Sequence, residues 1–108
     1  MPTIPMNWTG LLQNSVSPSI LTDDTSDRLR EWNYHAFVSG TFGAGPPTVQ
    51  IQYSPDYQGV SDGLSRWFAP AGLSCTSQSD ILFQAKPRKF RVVITGGDGT
   101  TSVNVSIR

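Results

Sequence analysis

The stretch Trp32-Asn33-Tyr34-His35-Ala36-Phe37-Val38-Ser39-Gly40-Thr41-Phe42 decides the fold class, because its character repeats every second residue. Trp32, Tyr34, Ala36, Val38, Gly40 and Phe42 fall on one side, and Asn33, His35, Phe37, Ser39 and Thr41 on the other. Only a strand sends successive side chains to opposite faces, so this reads as one long strand, bent near Gly40. Phe42-Gly43-Ala44-Gly45-Pro46-Pro47 then turns the chain. Beyond it Val49, Ile51 and Tyr53 alternate with Thr48, Gln50, Gln52 and Ser54, the pattern of a strand with one buried and one wet face.

The same reading extends to the C-terminus. A loop runs from Ser54-Pro55-Asp56 to Gly63, and a strand over residues 64–69 carries Trp67 and Phe68 and is closed by Pro70-Ala71-Gly72. Three further strands follow at about 80–85, 89–95 and 101–107, with inward faces marked by Ile81 and Phe83, by Phe90, Val92 and Ile94, and by Val103, Val105 and Ile107. Gly96-Gly97-Asp98-Gly99-Thr100 joins the last two as a hairpin, its glycines supplying positive φ. It is not a phosphate loop, because strand alternation resumes after it and no helix N-terminus follows. Composition agrees: eight Val, six Ile and ten Thr stand against one Glu, two Lys and five Ala.

With 108 residues, 37% hydrophobic and 10% aromatic, there is material for one packed domain and no more. The expectation is a single-domain, all-β, two-sheet β-sandwich of about seven or eight strands over residues 20–108, jelly-roll or immunoglobulin-like, preceded by an extended N-terminal arm over residues 1–19. Pro2, Pro5 and Pro18 punctuate that arm, so it is expected to join a sheet late, from about Thr9 to Ser15. Trp8, Leu11 and Leu12 need a cover, either their own domain or a neighbouring subunit. The polar cluster Thr22-Asp23-Asp24-Thr25-Ser26-Asp27 has room for one short helix through Leu29.

A net charge of zero argues against nucleic acid or an anionic membrane as partner. No apolar run approaches the ~20 residues of a membrane helix, and the N-terminus lacks the basic start and apolar stretch of a signal peptide. A lone Cys75 allows no internal disulfide, and without a secretory signal neither Asn7-Trp8-Thr9 nor Asn104-Val105-Ser106 is read as a glycosylation site. His35, the one histidine, sits mid-strand with no nucleophile motif nearby, and Cys75 has no basic neighbour to activate it. One Cys and one His cannot build a zinc site, and Asp23, Asp24 and Asp27 lack the Gly and Glu of a calcium loop. No enzyme, metal or cofactor is expected. The one concentration of charge is Lys86-Pro87-Arg88-Lys89-Phe90-Arg91, a solvated strand entrance or a basic patch for an acidic partner.

Phe37-Val38-Ser39-Gly40-Thr41-Phe42-Gly43, then Val49-Gln50-Ile51-Gln52-Tyr53-Ser54-Pro55-Asp56, then Trp67, resembles small β-sandwich structural proteins of tailed-bacteriophage virions. So does the closing segment from Phe90-Arg91-Val92-Val93-Ile94 through Gly96-Gly97-Asp98-Gly99 to Val103-Asn104-Val105. In that group a strand ending in Gly-x-Phe-Gly precedes a second strand, a tryptophan and a glycine hairpin. The similarity covers residues 34–108, and this chain departs from it with a longer loop at Tyr57-Gln58-Gly59-Val60-Ser61-Asp62-Gly63. The resemblance implies a capsid cement (decoration) protein on the outer surface of the head, assembled in the bacterial host cytoplasm, or else a tail or neck component. Its implied partners are the phage major capsid protein and further copies of itself, as a dimer or trimer. In that role Trp8, Leu11 and Leu12 with Lys86, Arg88 and Lys89 are the candidate contact residues, and deletion of residues 2–16 is expected to spare the folded domain. The competing reading is carbohydrate recognition through stacking on Tyr53, Tyr57 and Trp67.

Overall fold

The computed structural model describes residues 6–22, 32–56 and 59–108. The expected helix between Thr22 and Leu29, the Trp32 side chain and Tyr57 lie outside what it describes. Two antiparallel sheets pack face to face, built from β1 (Met6–Leu11), β2 (Ser15–Val16), β3 (Ile20–Leu21), β4 (Trp32–Thr41), β5 (Thr48–Ser54), β6 (Ser74–Cys75), β7 (Ser79–Ala85), β8 (Lys89–Thr95) and β9 (Ser102–Ile107). Sheet 1 has the order β1-β9-β4-β7, and sheet 2 the order β2-β8-β5-β6 with β3 also on β8.

That order chooses between the two sandwiches that periodicity left open. The first strand pairs with the last, the β2/β3 edge with β8, β4 with β7, and β5 with β6, all antiparallel. This nested pairing is the double Greek key of a jelly roll. In an immunoglobulin sandwich the final hairpin stays within one sheet; here β8 and β9 lie in different sheets.

β2 and β3 are one edge strand interrupted at Pro18. Between them the Ser17 N–H donates to the Val92 carbonyl at 2.8 Å, and the Ser17 hydroxyl accepts from the Val92 N–H at 2.7 Å. A side-chain oxygen thus stands in for a backbone acceptor where proline breaks the ladder. The N-terminal stretch therefore does not join late: pairing begins at Met6, and residues 6–21 contribute strands to both sheets. Trp8 is 5% exposed, and its Nε1 donates to the Pro18 carbonyl at 2.9 Å. A buried indole with its N–H satisfied inside its own chain is not available to a neighbour.

The core is the sum of the inward faces. Tyr34, Ala36 and Val38 of β4, Val103, Val105 and Ile107 of β9, and Met6 and Trp8 of β1 meet Val49 and Ile51 of β5 and Phe90, Val92 and Ile94 of β8. Phe90 is the aromatic centre, edge-on to Tyr34 at 5.1 Å and to Phe83 at 6.0 Å between ring centroids. Near the end of β4, Gly40 takes φ +112° against the Ser102 carbonyl of β9, a close approach that excludes any side chain.

Residues 64–69 do not form the expected strand. Leu64 and Ser65 close a turn on the Ser61 carbonyl, and Phe68 alone pairs, with Tyr53. The segment is held by side chains instead: Asp56 accepts from the Arg66 backbone N–H at 2.6 Å and pairs with its guanidinium at 2.8 Å. The turn after Pro70 is a 3-10 turn, Ala71–Leu73, leading into the two-residue β6.

The expected β8–β9 hairpin does not form, because the two strands enter different sheets; at one end of the sandwich their glycine-rich connection is tied to the β4–β5 turn. Asp98 accepts from the Thr100 N–H and hydroxyl at 2.8 and 2.6 Å and from the Gly45 N–H at 3.2 Å. These bonds favour the carboxylate, Thr100 first, and pull its pKa down from 3.8 to about 2. A depressed folded-state pKa contributes stability that is full above the ordinary carboxylate value and lost as pH falls through about 2. The expected result is an Asp98 side-chain carbon resonance that titrates near pH 2, and a domain that loosens at this end between pH 4 and pH 2; a midpoint near 3.8 would contradict the bonding.

Candidate functional site

Sheet 2 is covered on its outer face at the Lys89–Arg91 end, while Val16, Leu21, Thr48 and Thr95 on that face stay exposed. The loop from Gly59 to Phe68 lies across Gln52, Ser54, Lys89 and Arg91, whose side chains point away from the core by strand alternation. Lys89 is 1% exposed; its Nζ donates to the Val60 carbonyl at 2.8 Å and lies 3.4 Å from Asp62 Oδ1. Burial works to raise the Asp62 carboxyl, but bonds from Ser19 and Lys89 hold it below its ordinary value. Trp67 donates through Nε1 to the Asp62 carbonyl at 2.9 Å, and the Arg91 guanidinium stacks on its ring at 4.2 Å.

The basic run is therefore not one solvated patch. Lys89 is sealed under the loop, Arg88 is half-buried, and Lys86 is exposed at the end of β7. Of the N-terminal candidates, Trp8 is in the core, Leu11 packs against it, and Leu12 is 60% exposed. Leu12 follows the β1 residue facing Val103, itself opposite Gly40, whereas Lys86 follows Ala85, opposite Trp32. Eight strand residues separate those ends, about 26 Å at the usual strand rise, so the six residues do not form one surface.

The stacking platform is also divided. Tyr53 belongs to the inner face of β5 and packs on Phe90 and Phe68, while Trp67 stands on the outer face over Arg91. Trp67 acts here as the clamp that closes the loop over Lys89. Trp67→Ala is expected to cost about 1–2 kcal/mol in urea denaturation, the scale of a partly desolvated cation–π contact plus lost packing. A change below 0.3 kcal/mol, roughly the noise of such a measurement, would contradict the clamp.

The outer face of sheet 1 is open instead. It presents Asn7 and Thr9 from β1, Asn104 and Ser106 from β9, Asn33, His35, Phe37, Ser39 and Thr41 from β4, and Asp80, Leu82 and Gln84 from β7. Hydroxyls and amides dominate, and two large apolar side chains stand among them, Phe37 at 43% and Leu82 at 80% exposed. Register sets Leu82 opposite His35 and Phe37 opposite Asp80, so Phe37 and Leu82 are diagonal neighbours. The His35 Nε2 contacts the Asp80 carboxylate. A shallow cleft lies on each side: His35, Phe37, Ser106 and Arg108 line one, and Asn33, Tyr34, Leu82, Phe83 and Gln84 the other.

Such a face can take up a protein surface through apolar contact ringed by hydrogen bonds. Among the described residues no three His, Cys, Asp or Glu side chains gather to hold a metal, and His35 hydrogen-bonds to an acid without a nucleophile on its other nitrogen. The alternation of β4 already sets Phe37 on the wet side. The same parity argument applied to β7 separates Leu82 from Ile81 and Phe83, so the signal for this face was in the sequence. No family model, no curated protein and no solved structure matches this chain.

Proposed function

We propose that this chain is a non-enzymatic virion structural protein of a tailed bacteriophage, a capsid cement protein that docks on the outer head lattice and acts as a homo-oligomer. The observation that carries the proposal is the open face of sheet 1, mostly uncharged and carrying the exposed apolar pair Phe37 and Leu82 toward its β7 edge. An interface joins an apolar centre to a polar surround, and this face offers Phe37 and Leu82 among hydroxyls and amides, while the loop from Gly59 to Phe68 covers the Lys89–Arg91 end of the outer side of sheet 2. A jelly roll serves in viral capsids and in lectins alike, so the fold does not carry the function by itself. The segments that resemble phage structural proteins map onto β4, β5, β8 and β9, the interior strands of both sheets.

Cross-linking mass spectrometry on purified particles tests the reading. Links from the Lys86 end of this chain to the major head protein, at high copy number, are expected. Links to tail or neck proteins at low copy would move it to those structures and overturn the head placement. Binding on a glycan array, lost on Phe37→Ala and kept on Trp67→Ala, would replace assembly by carbohydrate recognition.

A further inference from the structure

The open face ends at an open edge. β7 is the last strand of sheet 1, and its pairing with β4 fixes which of its backbone groups look outward. His35 and Arg108 exchange both backbone hydrogen bonds, at 2.8 and 2.9 Å, so the odd-numbered residues of β4 bond to β9. Bonded and non-bonded pairs alternate in an antiparallel ladder, hence Tyr34 with Phe83 and Ala36 with Ile81 are the bonded pairs toward β7. The N–H and C=O groups of Asp80, Leu82 and Gln84 then point away from the sheet, and among the described residues nothing bonds to them.

The other three sheet edges carry the devices by which proteins prevent edge pairing. β6 has two residues, the β2/β3 edge is broken at Pro18, and β1 is irregular between Trp8 and Leu11 with Gly10 at φ +64°. β7 has none of these. Its seven residues, Ser79-Asp80-Ile81-Leu82-Phe83-Gln84-Ala85, pair with β4 in unbroken register and contain no proline, glycine or lysine.

We infer that this edge binds a second copy of itself, β7 against β7, antiparallel about a two-fold axis at Leu82. The occupant follows from complementarity of the strand with its own reverse. Centred on Leu82, the register brings the three outward residues opposite one another: Leu82 meets Leu82 of the second copy, and Asp80 meets Gln84 in both directions. All six N–H groups and all six C=O groups of those residues then find partners as six hydrogen bonds. On the inner side Ile81, half-buried, comes opposite the half-buried Phe83 of the second copy. On the outer side Phe37, Leu82 and their two mates form an apolar stripe across the seam. Each pair is isologous, as a two-fold interface requires. No like charges face one another, since the two Asp80 carboxylates stand about four residues, or ~13 Å, apart along the strands.

The inference rests on the homo-oligomeric part of the proposed function and names its interface, giving one eight-stranded sheet that doubles the open face. Sedimentation of the isolated protein from micromolar to millimolar concentration is expected to show a monomer–dimer equilibrium. Amides of Asp80, Leu82 and Gln84 should gain hydrogen-exchange protection as concentration rises. In an isotopically mixed sample an intermolecular contact between the Ile81 and Phe83 α-protons should appear. Leu82→Lys, at a side chain 80% exposed, sets two ammonium groups across the axis and is expected to weaken dimerisation about tenfold or more with the monomer fold unchanged. A monomer throughout, concentration-dependent protection on β1 or β6 instead of β7, or an unaltered dimer in Leu82→Lys overturns the inference. A monomer that still links to the head protein would overturn the pairing while leaving the proposed function standing.

Discussion

Deleting residues 2–16 is expected to abolish folding, in place of the folded remainder that the reading of an independent arm implies. The deletion removes β1 and β2 together, and with them Met6 and Trp8, 3% and 5% exposed, from the core. It also uncovers the edge of β9 and the inner side of Val105 and Ile107, which β1 faces along its length. Trp8→Ala gives the smaller, measurable version: a large-to-small change in the core costs about 3–5 kcal/mol, and the Pro18 carbonyl loses its 2.9 Å donor. Against a total stability of about 5–15 kcal/mol for such a domain, the single substitution removes a large share. Urea denaturation followed by circular dichroism measures it, and the amide spectrum of the truncated chain decides the larger claim. A well-dispersed spectrum after truncation would show that the sandwich closes without β1.

Phe90→Ala is the second large effect. Phe90 is fully buried in β8 at the point where both sheets send aromatics inward: Tyr34 and Phe83 from sheet 1, and Tyr53 from its own sheet at 6.3 Å. No neighbour can collapse into the space, because each is held by its own strand register. The expected loss is about 3–5 kcal/mol. At roughly 4 °C per kcal/mol for a domain of this size, Tm falls by about 12–20 °C. Phe90→Leu, which keeps most of the volume, should cost under about 1.5 kcal/mol. Equal losses for the two variants would mean that ring geometry matters and volume does not.

Much of this was legible along the chain. The alternation in β4 and β5 sorts inner from outer residues correctly, from Tyr34, Ala36 and Val38 inward to Asn33, His35 and Phe37 outward. Gly96 and Gly97 take φ of +81° and +97° in the turn between β8 and β9 where positive values were expected, although that turn crosses between sheets and closes no hairpin. Proline misled at the N-terminus: Pro18 does break an edge strand, but Ser17 repairs the ladder with a side-chain oxygen, which no local pattern announces. Trp67 and Phe68 look like strand residues because aromatics favour strands, yet β5 ends at Ser54 and leaves Phe68 a single bridge partner. Charge misled at Lys89. A lysine in a basic run reads as solvated, and only the loop from Gly59 to Phe68, distant in sequence, supplies the carbonyl and carboxylate that let it be buried.

By itself the sequence determined the class of structure and the face of each long strand, because period-two alternation is a local consequence of backbone geometry. It also placed the positive-φ turn at Gly96 and Gly97, since positive φ is a property of single residues, but not the pairing of the strands on either side, which enter different sheets. Which strands pair was decided only in three dimensions. The jelly-roll order joins residues as distant as Met6 and Ile107, and the same alternating strands would have satisfied an immunoglobulin sandwich equally well. Tertiary structure likewise decided the fate of the functional candidates. Trp8 and Lys89 went inside because other segments closed over them, Tyr53 and Trp67 went to opposite faces of one sheet, and Leu82 stayed out on an edge that no described segment covers.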